Sequence, residues 1–316
     1  MRRILDYENE HAYDSAYDWL RKEMRFPRSI VSALRSGDQD YRINGLKPAL
    51  WYPLAAGSKI RIILEDRTSS AFAPVDLPLE IVYEDEDILL VDKPAGMPSH
   101  PSMNHQEDTL ANAVLYYYQK QGIPFVFRIA NRLDMDSSGL VLISKNALAA
   151  ARIKQMIDRR RIHRSYLCIV EGSLSSDPGL LSLEAVLPRY DSDQKLCGGR
   201  ISAPIARREG SLFEREVDFQ KGQTALTDFR ILREGRAYSL LAIQLGTGRT
   251  HQIRVHMNYL GHPLPADHLY HPVYDVIGRQ PLHSAGLTFP HPITGRKMCF
   301  ESALPSDMQT LLRSFV

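Results

Sequence analysis

Between residues 81 and 289 the chain reads as a succession of short apolar strands interrupted by few helices, and this order constrains its fold more than any other feature. Apolar runs fall at 81–83, 88–91, 140–143, 166–170, 181–186, 227–232, 239–245 and 287–289. The first two flank an acidic turn at 84–87 and predict a tight hairpin. Helical spacing is sparse: Leu110, Val114 and Leu115, the stretch 147–157, and a terminal helix opened by Pro305 and Ser306 and carried by Met308, Leu311 and Leu312. Neighbouring strands with only intermittent helices predict an α+β domain with a mixed, largely antiparallel sheet and flanking helices.

A smaller unit precedes it. Trp19, Leu20, Ile30, Val31, Leu34 and Leu46 suggest short helices followed by strands, Asn44-Gly45 marks a turn, and Ile60, Ile62 and Leu64 alternate as a strand does. Residues 66–79 carry Thr, Ser, Ala and Pro without periodicity and read as a linker. The division expected is a first unit at 1–65, a linker at 66–79, and a larger second unit at 80–316.

Bulk charge excludes a polyanion-binding field. The 39 basic and 37 acidic residues leave a net +2, so nucleic-acid contact must come from local patches, the densest being Arg159, Arg160, Arg161, His163 and Arg164. A solvated helix end explains that run equally well. Three dispersed cysteines lack disulfide or zinc spacing, no segment has the length to span a bilayer, and the amino terminus has no apolar secretory core. A cytoplasmic chain without a metal centre is expected, monomeric because no coiled-coil repeat is present.

Chemistry points to residues 130–139, ANRLDMDSSG, where Asp134 stands at a change of chain direction before the strand 140–143. Catalytic groups gather at such ends because a rigid element fixes them while the loop leaves access. Arg132 and Asp134, two apart, also fit an ordinary ion pair. The segment 246–262, GTGRTHQIRVHMNYLGH, concentrates Arg249, His251, Arg254 and His256, with Ile253, Met257 and Leu260 at helical spacing, Thr250 as a candidate cap and Gly261 as a stop. The loop DKPAGMPSH holds Lys93 and His100, either lining a site or forming a turn. Phosphate-loop, GxGxxG and HExxH patterns are absent.

Taken in order, VDKPAGMPSHP, NRLDMDSSGLVLISK, RSYLCIVEG and GRTHQIRVHMNYLGHPL resemble the motifs of RluA-type pseudouridine synthases over roughly residues 80–316. INGLKP at 43–48 gives the first unit a resemblance to the S4-like RNA-binding module found in the RluD-like branch. The resemblance implies isomerisation of uridine to pseudouridine in ribosomal or transfer RNA, with no cofactor, and sets Asp134 at the essential aspartate. A carboxylate can either attack ribose C1′ or remove a C2′ proton to give a glycal. In an enclosed pocket such a group needs a cation beside it. The resemblance supplies Arg254 for that role and Tyr166 as the tyrosine that stacks on the flipped base. It implies that Arg132 meets RNA backbone or helps open the stack, and that Arg249, His251, Lys93 and His100 contact phosphate or shape the pocket. Leu133 and Ile253 are expected as apolar walls.

Four positions depart from the family pattern: Asn131 for His, Ser137 for Thr, Arg164 for Lys, and Ala266-Asp267-His268 for Gly-Asp-Pro. They bear on the substrate and not on the reaction. The competing expectation is a non-catalytic RNA-binding or ribosome-assembly factor that keeps the fold; a two-carboxylate hydrolase is weaker, since no second acidic motif accompanies Asp134.

Overall fold

The computed structural model describes residues 1–66 and 68–315. Its amino-terminal part is a three-stranded antiparallel sheet of order β1-β3-β2, built from β1 (Arg2–Glu8), β2 (Asp40–Ile43) and β3 (Lys59–Glu65). The helices α1 (Ala16–Asp18), extended by a π turn at Trp19–Glu23, and α2 (Arg28–Ser36) cover it. Trp19, Phe26, Leu34 and Ile62 fill the space between, joined by Leu148 from the larger part of the chain. The sequence did not foreshadow β1, where only Leu5 is fully buried although covered and exposed positions alternate. Asn44 and Gly45 both take positive φ, 51° and 81°, and close the short turn from Ile43 to Leu46.

The two parts are bolted together. Arg3 donates from Nε to Asp87 Oδ1 at 2.9 Å, and Arg152 donates to the carbonyls of Met24 and Pro292. Residues 68–79 have no regular structure, yet Phe72, Leu77 and Leu79 pack on the main core, so this stretch is a strap and not a free tether.

The larger part is one ten-stranded sheet of order β4-β5-β6-β14-β7-β13-β12-β9-β8, with β15 on a branch of β14. These are β4 (Glu80–Glu84), β5 (Ile88–Lys93), β6 (Ser138–Ser144), β7 (His163–Glu171), β8 (Val186–Tyr190), β9 (Leu196–Ser202), β12 (Leu226–Glu234), β13 (Tyr238–Leu245), β14 (Leu282–Pro290) and β15 (Lys297–Glu301). The strands β10 (Ile205–Arg207) and β11 (Arg215–Val217) form a separate hairpin. Flanking helices are α3 (Leu110–Gln119), α4 (Ala147–Asp158), α5 (Pro178–Leu181), α6 (Gln252–Tyr259) and α7 (Ser306–Arg313). The mixed, largely antiparallel sheet agrees with expectation, every pairing being antiparallel except β6 with β14. The strand expected at 181–186 is a correction: Pro178 at a helix start and Asp177 capping Gly179 N–H open α5, and the strand begins only at Val186.

The parallel seam positions the site. Where β6 enters it, Gly139 has φ +108°, and a Cβ there would lie 2.4 Å from the Ser284 carbonyl oxygen of β14. Only glycine permits that approach. The loop 130–137 therefore lies at the end of β6, two strands from Tyr166 on β7, with α6 arriving from the far end of the sequence.

Candidate active site

Asp134 sits in the loop ahead of β6, with 28% of its side chain exposed. Its Oδ2 accepts from Arg254 Nη1 at 3.0 Å, across 120 residues of sequence. Arg254 is 1% exposed and grips Asp267 with its other edge, Nε to Oδ2 at 2.7 Å and Nη2 to Oδ1 at 2.6 Å. A guanidinium offers donors on two edges in one plane, so a single cation holds one carboxylate as an anchor and presents itself to a second. The Tyr270 ring closes the sandwich, 5.1 Å from the Arg254 carbon. Burial alone would drive the Arg254 pKa down, but Asp267 and Asp134 reverse this and raise it.

The cleft beside Asp134 has a cavity of about 830 Å³ and is lined by Arg132, Asp134, Tyr166, Arg249 and His251 among others. Tyr166 is buried, and burial pushes its phenol pKa up, Arg164 opposing and Asp134 adding to the rise. It offers a neutral ring face and a protonated hydroxyl. Arg132 is exposed, and the expected ion pair with Asp134 does not form: the carboxylate is taken by Arg254. Arg249 donates from Nε to the Thr224 carbonyl, and His251 meets the Tyr270 hydroxyl at 3.0 Å. Burial lowers the His251 pKa to about 4, so the ring is neutral at pH 7.

Four of the sequence candidates lie elsewhere. Lys93 is fully buried and donates from Nζ to the carbonyls of Pro94, Met97 and Met135 at 2.7, 2.7 and 3.0 Å. It touches no open pocket; it staples the loop after β5 to the residue following Asp134. Burial pushes its pKa down to about 7, with Asp134 and Asp136 pulling the other way, while three carbonyls call for three N–H donors, which only the ammonium has. Lys93→Met is expected to cost on the order of 3 kcal/mol, seen as a lower urea midpoint, because three buried acceptors lose their donor. His100 is exposed and packs edge-on to Phe72, ring centroids 4.7 Å apart, away from the cleft. Leu133 and Ile253 belong to the core behind the cleft.

Residues that sequence reasoning passed over hold the rest. Ser99 Oγ donates to the Leu133 carbonyl and accepts from its N–H, at 2.7 and 3.2 Å. Arg279 donates to the Asp136 carbonyl at 3.0 Å while gripping Asp307 of α7. Gln252 accepts from Arg249 N–H and donates to the Leu226 carbonyl, shaping the loop 246–250. Thr250 does not cap α6; His251 occupies that position at φ 56° with no side-chain cap, and Gln252 does the tethering. Gly261 follows the helix at φ +80°, as expected. The only sequence hint of Asp267 was its place in the altered Ala-Asp-His triplet, and Ala266 there holds φ 54°, a conformation that suits glycine.

Of the other departures, Asn131 turns inward and Arg164 lines the cleft. Asn131 replaces a histidine but donates to the Leu140 carbonyl and accepts from Leu142 N–H at 3.0 and 2.9 Å, clamping loop to β6. His256 is a buried structural histidine: it bridges Thr227 Oγ1 at 2.8 Å and the Ala203 carbonyl at 2.9 Å. Burial lowers its pKa from 6.5 to about 4. Between those values the unfolded chain takes up the proton and the folded chain does not, so stability falls as pH drops from 6.5 toward 4. His256→Gln, which keeps an N–H for Ala203 but cannot titrate, is expected to flatten the melting-temperature profile in that window.

A guanidinium-held carboxylate and a tyrosine thus line one cleft beside this sheet. A family model described as RNA pseudouridylate synthase matches residues 87–259. The uncharacterized RNA pseudouridine synthase YjbO of Bacillus subtilis is 34% identical over 292 residues, 92% of this chain and 96% of that one. The ribosomal large subunit pseudouridine synthase D of Escherichia coli K12 is 32% identical over 274 residues, 81% of this chain and 76% of that one. Human RNA pseudouridylate synthase domain containing 1 shares the fold, with a TM-score of 0.53 and 24% identity over 75% of this chain and 94% of that one. The chain belongs to the RNA pseudouridylate synthase family, in its RluA-type, RluD-like branch. It is an isomerase that converts uridine to pseudouridine in RNA, and the non-catalytic alternative falls away. Among the described residues no helix is long and apolar enough to cross a membrane.

Proposed function

We propose that Asp134 is the carboxylate of this isomerisation, Arg254 the cation that keeps it charged and aimed, and Tyr166 the platform for the extruded base. The observation that carries this is the 3.0 Å contact of Arg254 with Asp134 inside the cleft that Tyr166 lines. The uracil N1–C1′ bond breaks, the base turns, and C5 bonds to C1′; the hydrogen leaving C5 goes to solvent and N1 ends protonated, so atoms balance without redox chemistry. Asp134 serves either by bonding to C1′ or by taking and returning the C2′ proton, and both routes need it ionised. Arg132, Arg249 and His251 line the same cleft and serve the RNA around the target.

Large-subunit ribosomal RNA is the first target to test, because relatives spanning most of the chain carry that substrate in their names. Transfer RNA is the second. We read residues 1–65 as an S4-like RNA-binding unit, 66–79 as its linker and 80–316 as the catalytic unit, acting as a cytoplasmic monomer without a cofactor. Carbodiimide mapping of pseudouridine in ribosomal and transfer RNA, with and without the gene, tests the assignment. One signal lost from large-subunit RNA is expected; an unchanged map in every RNA overturns it.

A further inference from the structure

A line of polar side chains crosses the sheet where its surroundings are apolar. In β6, residues 140–143 are buried aliphatics, yet the strand enters on Ser138, 4% exposed, which meets His283 of β14, 1% exposed. Ser138 Oγ lies 3.0 Å from His283 Nδ1, and His283 Nε2 lies 3.0 Å from Ser302 Oγ, which in turn donates to Asp92 Oδ2 of β5. Burying such groups costs stability unless each finds its partner, and an aliphatic pair would hold two strands as well.

The proton order of the line follows from its end. A carboxylate only accepts, so the Ser302 hydroxyl proton is committed to Asp92 and the Ser302 oxygen accepts from His283 Nε2–H. A neutral imidazole has one N–H, so Nδ1 is bare and accepts from the Ser138 hydroxyl. Burial holds the His283 pKa below 6.5, with Arg279 adding to the fall and Asp92, Ser302 and Asp307 opposing it, so the ring is neutral at pH 7. Those groups lie on β5, on α7 and at the ends of β14 and β15; the residue paired with His283 on β7 is the uncharged Leu167.

The line sits where carboxylate and tyrosine are set against each other. His283 pairs with Ser138 and Ser284 with Gly139, the two residue pairs of the parallel seam, while on its other side Ser284 pairs with Tyr166 of β7. Two residues of β14 therefore stand between the strand fed by the Asp134 loop and the strand that carries Tyr166. A seam this short leans on side-chain bonds, and any slip in it changes the distance from Asp134 to Tyr166.

We propose that His283 is a positioning residue of the isomerisation: neutral, and oriented by Ser302 and Asp92, it anchors Ser138 and so sets the Asp134 loop against Tyr166. This rests on the function proposed above and deepens it. When the ring gains a proton both its nitrogens donate, the Ser138 hydroxyl loses its acceptor, and the anchor is lost.

The test follows hydrogen release from uridine C5 in ribosomal and transfer RNA prepared from cells lacking the gene, in single turnover, well below the melting temperature. His283→Leu is expected to lower the saturated rate roughly ten- to a hundredfold, with the half-saturating enzyme concentration within about threefold of the parent. That split marks misplaced reacting groups and not a lost RNA contact. His283→Asn, whose Oδ1 stands where Nδ1 stood, keeps an acceptor for Ser138 and should recover most of the loss. Because asparagine does not titrate, the acid limb of its rate profile should lie at lower pH than the parent's. Ser302→Ala, at a partly exposed position, should lower the saturated rate several-fold without weakening RNA binding, and it tests the line even where His283→Leu does not fold. A parental rate in folded His283→Leu or in Ser302→Ala, or an unmoved acid limb in His283→Asn, overturns the positioning role and leaves the synthase reading intact. A parent chain that releases no hydrogen from either RNA overturns the proposed function instead.

Discussion

Asp134→Asn is expected to lower pseudouridine formation by roughly a thousandfold or more, because an amide can neither bond to C1′ as a carboxylate does nor take a proton from C2′. The substitution keeps shape and still offers an oxygen to Arg254 Nη1, 3.0 Å away in the parent. Arg254 retains its two contacts with Asp267, so no buried cation is left alone. Folding should therefore be little altered, with the melting temperature within about 2 °C of the parent. The measurement is single-turnover release of hydrogen from uridine C5, which the new C5–C1′ bond displaces. A variant within tenfold of the parent would remove Asp134 from the chemistry.

Arg254→Met is expected to fail in both stability and activity. It leaves Asp267, 1% exposed, without its cation, and sets Asp134 near a second carboxylate with nothing between them. Breaking a buried pair on one side costs about 3–5 kcal/mol, read as a lower urea midpoint. Arg254→Lys should rescue only part, since one ammonium cannot serve two carboxylates from two edges. The pair Arg254→Met with Asp267→Leu separates the roles: removing both charges should restore most of the stability, while synthase activity stays lost because Asp134 still lacks its partner. Recovery of activity in that double variant would show that Arg254 serves only to bury Asp267.

The strands and helices were legible where periodicity and breakers agreed. The hairpin of β4 and β5, the helices α3 and α4 and the turn at Asn44-Gly45 follow from local patterns. The strand β9 was not, since its glycines Gly198 and Gly199 erase the apolar alternation; a Cβ at Gly198 would strike the β12 backbone at Phe229, and one at Gly199 the Phe229 ring and the Leu187 carbonyl of β8. At the site, Asp134, Tyr166 and Arg254 could be named because motif order carried them. Asp267, Ser99, Gln252 and Arg279 could not, since their partners lie far along the chain or are backbone atoms, which leave no mark on residue type. The choice left open for Lys93, site or turn, stayed open for the same reason: its partners are three carbonyls, and a buried lysine looks in sequence like an exposed one.

The loop bearing Asp134 is pinned from three distant stretches: by Lys93 at a separation of 42 residues, by Arg254 at 120 and by Arg279 at 143. No contiguous fragment much shorter than residues 93–279 can assemble the catalytic arrangement. Competence is thus a property of the completed sheet, emerging late in folding because such remote closures are slow. Any event that opens β14 or α6 transiently switches the enzyme off without touching the carboxylate, so turnover should track the fraction of molecules natively closed when the chain is warmed toward its melting point.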